Sequence, residues 1–422
     1  MAPSATVKGF RLPGGGFGAR YEGVVVAAGK RTAFGKFMGT LARVSPTDLG
    51  IVAARAALDA AGLAGPDVDQ VVFANVAQSG PDAFYLPRHV ALYAGVPREV
   101  PAVLVNRLCG SGLEVLAYGA EQLALGKARV ALCGGTESMT RNPIASYGAR
   151  LGVEMGRVDF VDTLTAELLD PACGASMGQT AENLAKRYGL GREDVDAFAF
   201  RSHQRGWDAW EAGRIADEIA PVVAGACNGG GLQPRKVALP RKVDRFDRDE
   251  HLRPTDAAGL AKLPPVFDGV QTAGNSSGIV DGAAAAVLCD AAYAQERGIA
   301  GLGRLSASCT VGVDPDVMGI GPAPAIRALL AETGLGLDDV DLFEINEAFG
   351  AQALAVTREL DLDPEVLNVN GGAIALGHPL AATGTRLAVT ALLELARRGK
   401  RRAVASACIG GGQGIALLLE RD

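Results

Sequence analysis

The sequence predicts an α/β fold in which one domain occurs twice, and three observations carry that reading. The first is an internal repeat: "AARAALDAAGLAGPDVDQVVFAN" from Ala53 resembles "APAIRALLAETGLGLDDVDLFEIN" from Ala323. Arg55, Ala56, Leu58, Gly62, Leu63, Asp67, Val68 and Asp69 match Arg327, Ala328, Leu330, Gly334, Leu335, Asp339, Val340 and Asp341 at one constant offset. The second is order. "VLVN" before Cys109 pairs with "VLNVN" before Gly371, and "ARVALCGGTES" pairs with "RAVASACIGGGQG", in the same sequence as the first match. The third is pattern: short apolar runs alternate with segments of helical periodicity, as in sheets covered by helices.

Along the chain, residues 1–20 are rich in Pro and Gly, which predicts a flexible extension rather than an amphipathic helix. Lys8, Arg11 and Arg20 precede the first acid, Glu22, so a targeting role stays open. "GVVVAAGKR" reads as the first strand. "SPTDLGIVAARAALDAAGL" reads as a helix, with Ser45 or Thr47 as its N-cap. "VDQVVFANV" is a buried strand. Each copy then runs helix, strand, strand-turn-helix, strand, giving a first domain over 21–297 and a second over 298–422. Residues from about 141 to 275 interrupt the first copy with a strongly helical part and a charged, irregular part. This insertion is placed to cover a site between the copies.

Composition narrows the function. Of 422 residues, 48% are hydrophobic but only 5% aromatic, so the cores are aliphatic. A net charge of −6 supplies no basic footprint for nucleic acid. No run of about 18 apolar residues suggests a membrane span. The seven cysteines are unpaired in spacing, with no CxxC, and only four histidines occur, so neither a disulfide framework nor a metal centre is expected. A reducing compartment fits: the cytoplasm, with the mitochondrial matrix left open.

Four strand-to-helix turns carry the chemistry. Cys109 precedes Gly110, Ser111 and Gly112, where a helix N-terminus would lower a thiol pKa and glycine would admit a substrate carbonyl. Read alone, it fits a buried core thiol better. His378, in "GGAIALGHPLAATG", occupies the duplicate of that turn, and Pro379 restricts its backbone. Cys408 leads a glycine run that lacks the Lys-Ser/Thr of a phosphate-binding loop. Asn346 and Glu347 end a strand; Asn346 either caps the next helix or positions a water. Cys, His, Cys and Asn at four sheet edges suit acyl transfer through a thioester.

At these residues the chain resembles the thiolase family from about Gly23 to Leu419. "NRLCGSG", "GGTESM", "MGQTAENLA", "AGNSSGIVDGAAA", "NEAFG", "GGAIALGHP" and "CIGGGQG" occur in family order. The resemblance implies a five-layer α-β-α-β-α sandwich assembled as homodimers or homotetramers, with CoA and acyl-CoA as substrates and no permanently bound cofactor. It implies that Cys109 carries the acyl group, that His378 activates it, and that Cys408 exchanges the acetyl-CoA α-proton. His378 and an Asn346-held water would stabilise the enolate; the N–H groups of Cys109 and Gly410 would form the other oxyanion hole. Met177, Phe267, Ala273 and Ser277 would line pantetheine, with Arg253 near adenine. Two departures, Ser176 for a histidine of some biosynthetic members and Ala381 for a usual glycine, leave chain length open. A non-catalytic, lipid-binding relative would have lost reactive residues, and a decarboxylating ketoacyl synthase would not need Cys408.

Overall fold

The computed structural model describes residues 4–421. Strands β1 (Thr6–Arg11), β2 (Phe17–Glu22) and β3 (Val24–Thr32) lead into α1 (Pro46–Ala61), β4 (Gln70–Ala74), α2 (Leu86–Tyr93), β5 (Ala102–Val105), α3 (Ser111–Ala124) and β6 (Val130–Ser138). After a long excursion come β7 (Val280–Asp290), β8 (Gly303–Gly312), α4 (Pro322–Thr333), β9 (Leu342–Ile345) and α5 (Gly350–Leu360). Helix α6 (Leu380–Arg398) and strands β10 (Arg402–Ile409) and β11 (Gln413–Glu420) complete the chain.

The strands follow one path, β9-β10-β11-β8-β3-β7-β6-β4-β5. The path is one continuous sheet whose two halves are joined narrowly, β8 meeting β3 only through Gly303↔Val26 and Arg304↔Val25. Helices α3 and α6 lie between the halves and share one aliphatic core with both. Helices α1 and α2 cover the outside of the first half and α4 the outside of the second. These are the five layers that the family resemblance implied.

The duplication is written into matching hydrogen bonds. Asp69 accepts from the Arg129 and Val130 N–H groups at 2.8 and 3.0 Å, and Asp341 accepts from those of Arg401 and Arg402 at 3.0 Å each. Where the copies differ there is a local cause. The segment matching β5 is reduced to a single bridge, Phe343↔Leu367, because the Asn368 side chain occupies the ladder instead. Its amide bonds both the N–H and the C=O of Ile345 at 2.9 Å.

The flexible extension expected over residues 1–20 is corrected. Residues from Thr6 onward form the β1–β2 hairpin, and β2 pairs with β8 from Phe17↔Thr310 to Arg20↔Ala307. Alternating Ala19 and Tyr21 enter the central core, and the Tyr21 hydroxyl meets Ser308 at 2.9 Å. Glycine here answers crowding: a Cβ on Gly18 would sit 2.2 Å from the Ser308 carbonyl oxygen. The basic residues Lys8, Arg11 and Arg20 therefore belong to the folded sheet.

Close backbone approach also builds the centre. A Cβ on Gly112 would lie 2.6 Å from the Thr385 nitrogen, and one on Gly384 would lie 2.3 Å from the Leu113 nitrogen, so the first turns of α3 and α6 interlock. The tightest of these contacts is at Gly135, whose Cβ would fall 1.9 Å from the Ala381 carbonyl oxygen. Gly135→Ala is expected to lower stability by about 3 kcal/mol, the upper range for overpacking, read as a lower urea midpoint.

Between β6 and β7 the chain makes a long excursion that packs on both copies: Val222, Cys227, Val237 and Phe246 join the outer core of the first, and a helical part covers the second. Its helices Met177–Tyr188 and Arg192–Glu211 place Leu184, Ala185 and Val195 against Val317, Ala351 and Ala355. Among the described residues no helix is long and apolar enough to cross a membrane.

Candidate active site

Cys109 and His378 each stand two residues before the start of a central helix, α3 and α6 respectively. The interlocked helix ends thus bring the two duplicated turns to one place. The cysteine turn is strained: Leu108 has φ 45°, a left-handed conformation costing a bulky residue about 1–3 kcal/mol. Local bonds hold it there. The Asn106 side chain accepts from the Leu108 N–H at 2.9 Å, and Ser111 Oγ accepts from the Arg107 N–H at 2.8 Å.

The backbone N–H groups of Gly410 and of Cys109 itself lie close enough to the Cys109 sulfur to favour its ionised form. These are the two donors that the family resemblance assigned to an oxyanion hole. Gly410 opens the turn between β10 and β11, where Gly411 and Gly412 take φ of 80° and 82°. Cys408 lies inside β10, opposite Gly414, rather than in the turn that the glycine run suggested; the glycines after it make the bend. It is fully buried, among Met177, Met318 and Ala348.

His378 is buried. Its Nε2 is 3.2 Å from Asn346 Nδ2 and its Nδ1 is 2.6 Å from Thr383 Oγ1. Thr383 donates its single hydroxyl proton to the Pro379 carbonyl at 3.2 Å, so it accepts from Nδ1–H. That leaves Nε2 as the basic nitrogen, facing the Asn346 amide. Asn346 does not cap a helix, since α5 begins at Gly350 with Phe349 as its N-cap residue. Glu347 is held away, accepting from Ser202 at 2.6 Å and Asn368 at 2.7 Å. Thr383→Val keeps the shape but removes the acceptor. It is expected to lower kcat about tenfold while KM changes less than twofold, measured by steady-state thiolysis.

The expected thiolate is corrected by burial. Desolvation outweighs the N–H donors and pushes the Cys109 thiol up to about 11, while burial holds His378 down to about 3. Both groups rest neutral, and the proton moves when attack begins.

The residues assigned to CoA fall into two neighbouring groups. Met177 starts its helix beside Gly410, Phe267 lies over Gly178, and the Ser277 N–H donates to the Ala348 carbonyl at 3.0 Å. Exposed Ala273 and Arg253 sit farther out, around His203 and His251; His203 Nε2 is 2.9 Å from the Gly274 carbonyl. The His251 ring packs on Gly278, whose carbonyl accepts from the His378 N–H at 3.0 Å, so the second group adjoins the first. Ser176 caps the Met177 helix together with Gln179.

Sequence reasoning missed Thr383 and Glu137. Glu137 accepts from the Asn75 side chain at 2.7 Å and from the N–H groups of Ala77, Val76 and Ala381 at 2.9, 3.2 and 3.1 Å. It ties the end of β6 to the first turn of α6. Its presence in "GGTESM" was the available signal.

Fold and site together define a thiol-dependent acyltransferase on a duplicated α/β scaffold. The chain belongs to the thiolase family. The thiolase N-terminal domain matches residues 24–292 and the thiolase C-terminal domain residues 299–421. The chain is 46% identical to the mitochondrial 3-ketoacyl-CoA thiolase of Bos taurus, over 95% of this chain and 99% of that protein. It is 45% identical to the acetyl-CoA acetyltransferase of Pseudomonas aeruginosa, over 95% and 100% respectively. The crystal structure of human mitochondrial 3-ketoacyl-CoA thiolase in complex with CoA superposes with a TM-score of 0.89 at 44% identity, covering 95% of this chain and 98% of that one.

Proposed function

We propose that this protein cleaves 3-ketoacyl-CoA with CoA, and runs the reverse Claisen condensation, through an acyl thioester on Cys109. One observation carries the reading: the Cys109 turn packs against the turn that follows buried Cys408, a Cβ on Gly110 falling 2.5 Å from the Ile409 side chain and one on Gly410 3.4 Å from that of Leu108, so the N–H groups of Cys109 and Gly410 lie beside the Cys109 sulfur. A carbonyl joined to that sulfur would place its oxygen near both donors.

Attack of Cys109 on the C3 carbonyl passes the thiol proton to His378 Nε2. As C2–C3 breaks, acetyl-CoA leaves as its enolate, stabilised by His378 and Asn346, and Cys408 protonates the carbon. CoA then gives its thiol proton to the Cys408 thiolate as its sulfur attacks the acyl carbonyl, the Cys109 S–C bond breaks, and Cys109 takes its proton back from His378. Met177, Phe267 and Ser277 are the inner CoA contacts, Ala273 and Arg253 the outer ones. The domain boundary at 297/298 falls between the helix Ala291–Arg297 and β8. Exposed Phe84, Tyr85, Ile144, Tyr147 and Phe160 support a homodimer or homotetramer, and the free cysteines a reducing compartment, the cytoplasm by preference.

Incubation with acetyl-CoA followed by peptide mass spectrometry tests the reading. An acetyl group on Cys109 is expected; an adduct confined to another cysteine overturns it.

A further inference from the structure

The insertion brings two polar side chains to an otherwise apolar wall over Cys109. Asn142 follows the short turn Met139–Arg141, and Glu167 ends the helix Thr163–Glu167. The two segments are stitched together. The Thr163 N–H and hydroxyl both donate to the Pro143 carbonyl, at 3.2 and 2.6 Å, and Ile144–Ala145 pairs antiparallel with Val161–Asp162. Leu164 and Leu168, on either side of Glu167, pack with Cys109, Met139 and Leu380, and the Glu167 carboxyl is close enough to act on the Cys109 thiol.

Neither amide atom of Asn142 nor Oε1 of Glu167 has a hydrogen-bond partner among the described residues, although all three atoms are buried. The Asn142 amide faces the Glu167 carboxyl closely enough to favour its ionised form, without completing a bond of ordinary geometry. Buried polar atoms left open in this way are costly unless something fills them. Among these three atoms, Glu167 Oε1 as acceptor and Asn142 Nδ2 as donor complement a hydroxyl, and Asn142 Oδ1 is a second acceptor.

We propose that Asn142 and Glu167 recognise the end of the acyl group carried by Cys109, selecting a short hydroxyacyl group over the alkyl group of the same size. The substrate hydroxyl donates to Glu167 Oε1 and accepts from Asn142 Nδ2. No cation is among the groups acting on Glu167, whose carboxyl is held up at about 7 by burial and by Asp162. An anionic chain end would therefore meet an acid with nothing to neutralise it. The assignment rests on the acyl-transfer reading and names its substrate class.

The test is acyl loading from an equimolar mixture of 3-hydroxypropionyl-CoA and butyryl-CoA, read by mass spectrometry of the Cys109 peptide at early times. In each transfer the Cys109 S–C bond forms as the CoA S–C bond breaks, and the thiol proton ends on CoA. The hydroxyacyl adduct is expected to exceed butyryl by at least about tenfold, since a site built to bond a hydroxyl rejects analogues lacking it. In Glu167→Leu and Asn142→Ala the ratio is expected to fall toward one. Because both adducts are read on the same protein, the ratio is independent of how much variant folds. Equal loading or a butyryl preference in the native protein, or an unchanged ratio in Glu167→Leu, overturns the assignment. So does faster loading from succinyl-CoA. Normal acetyl loading without hydroxyl preference defeats this inference alone, whereas no acetyl loading of Cys109 defeats the reading beneath it.

Discussion

Cys109→Ala is expected to abolish the acetyl-enzyme and to lower thiolysis of acetoacetyl-CoA by about 10⁴-fold or more, the scale seen when a covalent nucleophile is removed. The effect is this large because nothing nearby can replace the sulfur. Cys408 is buried within β10, and burial pushes its thiol up, so it rests protonated. Of the two N–H groups beside Cys109, its own and that of Gly410, only its own has a counterpart at Cys408. Alanine removes only Sγ from a half-buried residue, so the variant keeps its core. Equal melting curves with no adduct would place the loss in the chemistry. An acetyl adduct persisting on Cys408 in the variant would contradict the assignment.

Much of this was legible in the sequence, and the exceptions have physical causes. The duplication could be read because both copies keep the residues that shape their turns: Asp69 and Asp341 each close the same loop against the next strand. The approach of the helices that follow Cys109 and His378 was expected from it, and Gly112 and Gly384 pack in that way. The β1–β2 hairpin was hidden by its glycines. A tract with Gly14, Gly15, Gly16 and Gly18 reads as a flexible chain, and only the neighbouring β8 shows that some of these positions are crowded. Cys408 was misplaced by the same ambiguity, because a glycine run marks a bend without saying which residue before it ends the strand.

Side chains acting through others were the least visible. Thr383 reaches His378 from five residues along the chain, one turn into α6, a spacing that any helical threonine shares. The four partners of Glu137 come from segments 60 to 62 and 244 residues away, so no local pattern marks the carboxylate. Asn142 and Glu167 look like ordinary surface residues until the insertion folds back over Cys109. The Cys109 thiol stays high for a related reason: the N–H groups at the helix terminus are visible in the sequence, whereas the enclosure of the sulfur, which outweighs them, is set by distant segments.

Replacing Cys408 should separate the two halves of the reaction. In Cys408→Ala, acetylation of Cys109 by acetyl-CoA is expected to stay within about threefold of native, since that step needs only Cys109, His378 and the N–H donors. Cleavage of acetoacetyl-CoA is expected to fall by about 10²–10⁴-fold, the contribution of a positioned general acid. Burial keeps the Cys408 proton in place at neutral pH, as protonation of a departing carbanion requires. The sharper measurement is hydrogen exchange at the acetyl-CoA methyl in D₂O, followed by NMR. Native enzyme should wash deuterium into that carbon, and Cys408→Ala should not, although its Cys109 still acetylates. If exchange survives, His378 moves the α-proton itself, and the buried thiol is a packing residue between Met177 and Met318.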